Sequence, residues 1–196
     1  MRYAAVVIGV SSGGVEALKL LLPALPASFP LPVAIVHHRD PHSDGFLAAF
    51  LNTMSGIAVS EAEDKEPFCA GHAYLAPPGY HLLIESDRSL SLSVDQRVNH
   101  CCPSIDVLFE SAADVFAESL IGIVLTGANA DGAQGLKAIK ARGGLAVVQD
   151  PQTASATTMP RAALEATAVD HVLDLGRIAP LLTRMCTLEE AYGAAG

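Results

Sequence analysis

The chain alternates short apolar runs with stretches in which apolar residues recur every three or four positions. YAAVVIGV from Tyr3, VAIVHH from Val33, LIGIVLT from Leu120, LAVVQD from Leu145 and HVLDL from His171 read as strands. They are rich in Val and Ile and end at polar or glycine-rich segments. Residues 15–22, 45–51, 104–117, 132–141 and 160–167 carry the helical period between them. Strands separated by helices predict an α/β fold: three layers, doubly wound around a mainly parallel sheet. One segment breaks the rhythm. YHLLIESDRSLSLSV alternates apolar and polar residues about SDRS and predicts an antiparallel hairpin. No linker, repeat or low-complexity tract interrupts the 196 residues, so residues 1–196 read as one domain.

Composition sharpens this picture in three ways. The hydrophobic fraction is 51%, the excess expected of a sheet covered on both faces. No apolar run approaches the roughly 18 residues of a membrane span, and no charged, apolar and cleavable leader opens the chain. No membrane insertion is expected. A net charge of -9 without a Lys/Arg cluster argues against nucleic acid as a partner. Cys69, Cys101, Cys102 and Cys186 form no CxxC pair and read as free thiols of a reducing cytoplasm.

In open parallel sheets the chemistry gathers where strands exit into helices. The first exit, GVSSGG, fits G-x-S-x-G: Gly9 and Gly13 flank Ser11, and small neighbours permit a sharp turn that exposes a hydroxyl. The helix behind it offers free N–H groups to an oxyanion. Ser11 reads equally as an N-cap, or the loop as a phosphate cradle, although no G-x-G-x-x-G or Walker lysine accompanies it. His37 and His38 end the second strand, and an imidazole at such an exit suits general acid–base work. His38 and His42, four residues apart, raise the thought of a metal, but no cysteine or carboxylate completes a ligand set at familiar spacing. Asp131, in LTGANADGAQG, could orient an imidazole or cap the next helix. Asp106 and Asp150 are rivals that position alone does not rank.

VVIGVSSGGVEAL, VHHRDP, APPGYH, NHxxPSIDVLFESAA, VLTGANADGAQGLKAIKARGG and QDPQTASATTMPRAAL occur in an order that resembles the catalytic domain of the CheB family, the chemotaxis protein-glutamate methylesterases. The likeness runs from Tyr3 to about Leu182. It implies a Ser–His–Asp triad of Ser11, His38 and Asp131, with His37 in the place of a family glutamine. It also implies support of the imidazole by Ser12, and an oxyanion site on the backbone N–H groups of Ser12 and Ala128. The implied activity is hydrolysis of glutamate γ-methyl esters on methylated cytoplasmic helices of chemoreceptors, with glutamine deamidation as a second reaction. No metal or organic cofactor is implied.

Family members usually carry an N-terminal receiver domain. A hydrolase strand beginning at Tyr3 leads to the expectation of a catalytic domain without one. Arg39, Cys102, Ala128, Asn129 and Thr158 depart from the family pattern around the triad and bear on substrate recognition. Arg39, Cys102, Ala128 and Asn129 also motivate an alternative, a non-catalytic receptor-binding module that retains the fold. Oligomeric state is not legible in the sequence.

Overall fold

A computed structural model describes residues 2–40 and 46–187. Seven strands form one parallel sheet in the order β3-β4-β2-β1-β7-β8-β9. These are β1 (Ala5–Val10), β2 (Val33–His37), β3 (Ala58–Glu61), β4 (His72–Leu75), β7 (Leu120–Val124), β8 (Leu145–Gln149) and β9 (His171–Leu173). The hairpin, β5 (His81–Ile84) and β6 (Leu90–Ser93), forms a separate two-stranded antiparallel sheet. The helices are α1 (Gly14–Leu21), α2 (Phe46–Met54), α3 (Ile105–Phe116), α4 (Ala133–Ala141), α5 (Thr158–Ala166) and α6 (Leu175–Thr187). A short 3-10 turn, Ala117–Ser119, leads from α3 into β7.

Every residue of β1 is buried, because helices cover both faces of the sheet. Val6, Ile8 and Val10 point into a core shared with Leu18 and Leu21 of α1 and Ile178 and Leu182 of α6. Ala5 and Val7 point into a second core with Leu108, Phe109, Leu136, Met159 and Ala163 of α3, α4 and α5. The two-residue period of the strand thus divides the three layers. The hairpin closes the second core with Leu82, Ile84 and Leu90. Burying each such Leu or Ile contributes about 2 kcal/mol relative to exposure.

The predicted strands and helices all recur with shifted ends; the predicted start at Gly45 lies outside the described residues. Two strands and one helix were not anticipated. β3 and β4 have four residues each, too few for a period to register. α6 contains Pro180, whose missing N–H disguises a helix that its packing against α1 sustains.

Two features of this topology place the site. The chain leaves β1 toward β2 on one side and returns to β7 on the other, so the strand order reverses at β1 and opens a crevice at the carboxyl ends there. Gly9 lets α3 approach closely. A Cβ at that position would lie 2.3 Å from Ile105 Cγ2, so the N-terminus of α3 can rest directly on β1.

Candidate active site

Three strand exits converge at this crevice. Ser11 N donates to Thr126 O (2.9 Å) and His38 N to Val10 O (3.1 Å), which ties the loop after β1 to those after β7 and β2. Thr126 Oγ1 donates to Ser12 O (2.8 Å) and accepts from Ala156 N (2.9 Å). The loop between β8 and α5 therefore fastens the serine turn from behind. Thr126 N donates in turn to the buried Gln149 Oε1 (3.0 Å).

The serine turn differs in detail from the expected elbow. The left-handed conformation falls on Gly13 (φ 81°), which is the residue before α1, so Ser11 neither caps the helix nor bears the strain. Ser11, Ser12, His37 and His38 line a common cavity of ≈ 280 Å³. No hydrogen bond joins Ser11 Oγ to His38 in this structure. Among the hydrogen bonds of the described residues, the Ser12 and Ala128 N–H groups donate to none, and both residues are exposed.

The histidine side is much more heavily bonded. His38 Nε2 lies 2.9 Å from Asp131 Oδ2, whose side chain is fully buried. Oδ2 also accepts from Ile105 N (2.7 Å). Oδ1 accepts from Asn99 Nδ2 (3.0 Å), Ser104 Oγ (2.9 Å) and Asp106 N (3.3 Å). Burial pushes the Asp131 carboxyl up, but bonds from His38, Ile105, Asn99 and Ser104 outweigh it and hold the group below its ordinary range. The carboxylate sits on the first turn of α3, where free N–H groups favour an anion. It does not cap α4, whose cap is Gly132.

The rival carboxylates have other partners. Asp106 accepts from Gly135 N and from Asn99 Nδ2, both at 2.7 Å, and burial raises its carboxyl. Asn99, at φ 50°, thus spans the two buried aspartates. Asp150 closes the turn after β8 by accepting from Gln152 N (2.8 Å).

The two neighbouring histidines are not equivalent. His37 is buried, its ring packs against Gly14 and bonds the Ser11 backbone, and its Nδ1 has no hydrogen-bond partner. Burial, with Arg39 and His38 beside it, pushes the ring down to about 4, so it is neutral at physiological pH.

Asn129, one of the departures from the family pattern, and Cys101, which the sequence left aside, gather on the other ring nitrogen of His38. Asn129 Nδ2 lies 3.4 Å from Nδ1 and Cys101 Sγ 3.9 Å from it, while Asn129 Nδ2 donates to Cys101 Sγ (3.3 Å). Burial and the Asp131 charge push the Cys101 thiol up to about 11. Ligand atoms of His38, Cys101 and Asp131 all lie within 4.8 Å of one another. Cys101 and Asp131 come from 63 and 93 residues away, so no spacing rule could find them. His42, the other residue of the metal thought, lies outside the described residues. All four cysteines are free thiols. Arg39 turns to Glu61 (2.8 Å) and Ala76 O (3.1 Å), leaving Nε and Nη1 buried without partners. A second cleft of ≈ 640 Å³, lined by His100, Asn129, Asp131 and Glu165 among others, flanks the aspartate side.

The model of a known family, described as CheB methylesterase, matches residues 6–182. The chain belongs to the CheB methylesterase family. A relative from Leptospira interrogans (strain Fiocruz L1-130) is 55% identical over 94% of this chain and 96% of its own length. Its name assigns it, provisionally, a protein-glutamate methylesterase/protein-glutamine glutaminase activity. A protein of that name from Symbiobacterium thermophilum is 38% identical over 91% of this chain, which spans 49% of the longer relative. The crystal structure of the CheB methylesterase catalytic domain of Thermotoga maritima superposes with a TM-score of 0.90 at 31% identity, over 94% of this chain and all of that one.

Proposed function

We propose that this chain is a serine carboxyl-ester hydrolase, a protein-glutamate methylesterase that removes γ-methyl esters from glutamate side chains of chemoreceptor helices in the cytoplasm. Membership of the CheB methylesterase family and the names of its relatives support the activity. Among the described residues no helix is long and apolar enough to cross a membrane, which accords with a receptor met at its cytoplasmic helices. The observation that carries the mechanism is the 2.9 Å bond between His38 Nε2 and the buried Asp131 carboxylate, beside a cavity that Ser11 also lines.

Because Asp131 is ionised, it takes the Nε2–H of His38 and leaves the Nδ1 lone pair as the base. His38 Nδ1 accepts the Ser11 proton as Oγ attacks the ester carbonyl. Backbone N–H groups of Ser12 and Ala128 receive the oxyanion, and neither loses its donor to an intramolecular bond. The imidazolium then protonates the departing methoxide, which leaves as methanol, and water, deprotonated by the same Nδ1, cleaves the acyl-enzyme. The same steps release ammonia from a glutamine. Ser11 Oγ meets Nδ1 only when substrate fills the cavity and Asn129 withdraws; such bonds are commonly long before substrate binds. No step calls on a metal or organic cofactor.

The test is mass-spectrometric loss of methyl groups from a methylated receptor fragment, comparing this chain with Ser11→Ala. Equal demethylation by both would overturn the assignment. One observation favours a second reading, a receptor-binding module without turnover: Asn129 and Cys101 crowd the base, and Ser11 is not bonded to it. A fluorophosphonate probe separates the two, since a hydrolase is labelled at Ser11 and an inert module is not.

A further inference from the structure

We propose that His38 Nδ1 and Cys101 Sγ form a binding site for a thiophilic divalent cation such as Zn²⁺, and that the bound cation switches the hydrolase off. The inhibitory half rests on the function proposed above; the binding half does not.

The two ligand atoms lie 3.9 Å apart. With Zn–N of about 2.0–2.1 Å and Zn–S of about 2.3 Å, a cation fits between them at an angle of roughly 125–130°. Closing the gap by a few tenths of an ångström would bring that angle to the tetrahedral value. The imidazole is already committed to the required tautomer, because its Nε2–H points to Asp131 Oδ2 at 2.9 Å. A carboxylate behind a metal-binding histidine fixes the ring and raises the basicity of the ligating nitrogen. Asp131 is itself pinned by Ile105 N and Ser104 Oγ, so it provides that support without moving. The Asn129 carboxamide touches both ligand atoms, at 3.4 and 3.3 Å, and a half-turn of the amide would present its oxygen as a third ligand. Water fills the fourth position.

Binding is balanced without redox chemistry. Cys101 Sγ–H loses its proton to solvent as the sulfur–metal bond forms, and His38 contributes a lone pair. No bond in the chain breaks. A thiolate and an imidazole select Zn²⁺, Cd²⁺ or Co²⁺ over Mg²⁺ and Ca²⁺, which prefer oxygen. The lone pair taken by the cation is the one that accepts the Ser11 proton, so metal and ester hydrolysis exclude each other.

The test titrates the full chain with Co²⁺ under reducing conditions, then displaces it with Zn²⁺, and measures ester hydrolysis in parallel. One equivalent of Co²⁺ should produce a thiolate-to-cobalt charge-transfer band. Zn²⁺ should abolish that band and slow hydrolysis, and a chelator should restore the rate. Cys101→Ser should lose the band and weaken Zn²⁺ inhibition, relative to its own metal-free rate, by about tenfold or more. Cys102→Ser should keep both. Absence of the band in the parent chain, its survival in Cys101→Ser, or equal inhibition by Mg²⁺ overturns the proposal. A band in a chain without esterase activity would sustain the site and overturn the inhibitory half with the hydrolase reading. Hydrolysis without a band would overturn the site alone.

Discussion

The two halves of the site are held in different ways. The buried carboxylate of Asp131 takes five hydrogen-bond donors from the Asn99–Asp106 segment and His38. The serine half is held by main chain: Ser11 N on Thr126 O, Gly14 N on Ser11 O, and Thr126 Oγ1 on Ser12 O. The first half fixes a charge and a tautomer; the second fixes only a turn and leaves its hydroxyl free to rotate. A general base needs one orientation, whereas a nucleophile must swing between base and substrate. The contrast predicts that damage on the aspartate side costs stability as well as rate, while damage at the nucleophile costs rate alone.

The sharpest way to break that contrast is to remove each functional group in turn. Ser11→Ala should lower kcat for methyl-ester hydrolysis by about 10⁴-fold or more with the melting temperature unchanged, since its hydroxyl makes no hydrogen bond among the described residues. A large loss of thermal stability in that variant would refute the account of the serine half. Asp131→Asn should lower kcat by about 10⁴-fold through the wrong imidazole tautomer. It should also cost about 3 kcal/mol in denaturant unfolding, because buried donors lose a charged acceptor.

The histidine pair gives a pH version of the same comparison. His37 falls from 6.5 unfolded to about 4 in the fold, so the unfolded chain binds its proton first as pH drops. Its stability is full above pH 6.5 and is lost progressively down to about pH 4, by about 3 kcal/mol. Asp131, held below its ordinary range, acts in a lower window: its contribution is lost only as pH falls through the carboxylate range. Urea unfolding of His37→Gln should therefore flatten between pH 6.5 and 4 and still fall below that, and an unchanged slope would count against the buried neutral ring. The smallest effect expected is that of Thr126→Val. It strands Ser12 O and Ala156 N for about 1–2 kcal/mol and should reduce kcat more than it changes KM.

The strands at Ala5, Val33, Leu120 and Leu145 were legible because each is an apolar run of five or six residues, and the short strand at His171 because it opens the apolar-rich HVLDL. Ser11, His38 and Asp131, the triad proposed above, stood out in the sequence because strand exits into helices are where a parallel sheet collects polar side chains. Other parts were not legible. β4 is a strand because β2 offers it an edge, and β3 because β4 does, a fact that four residues do not encode. Nothing in the sequence marked Asn99 or Ser104 as a partner of Asp131, and only their approach to it reveals them as the cradle of a charge. Cys101 looked like an idle thiol, and the fold puts it beside His38.

By itself, the order of apolar runs and glycine turns determined the doubly wound sheet, since hydrophobic period is a local property that survives in one dimension. It also named an alcohol, an imidazole and a carboxylate at three exits. Only the tertiary structure shows that Asp131, rather than Asp106 or Asp150, meets His38, because hydrogen-bond donors are matched in space and not along the chain. The same reason governs which nitrogen of His38 faces Asp131 and which is left for Cys101, Asn129 and the serine.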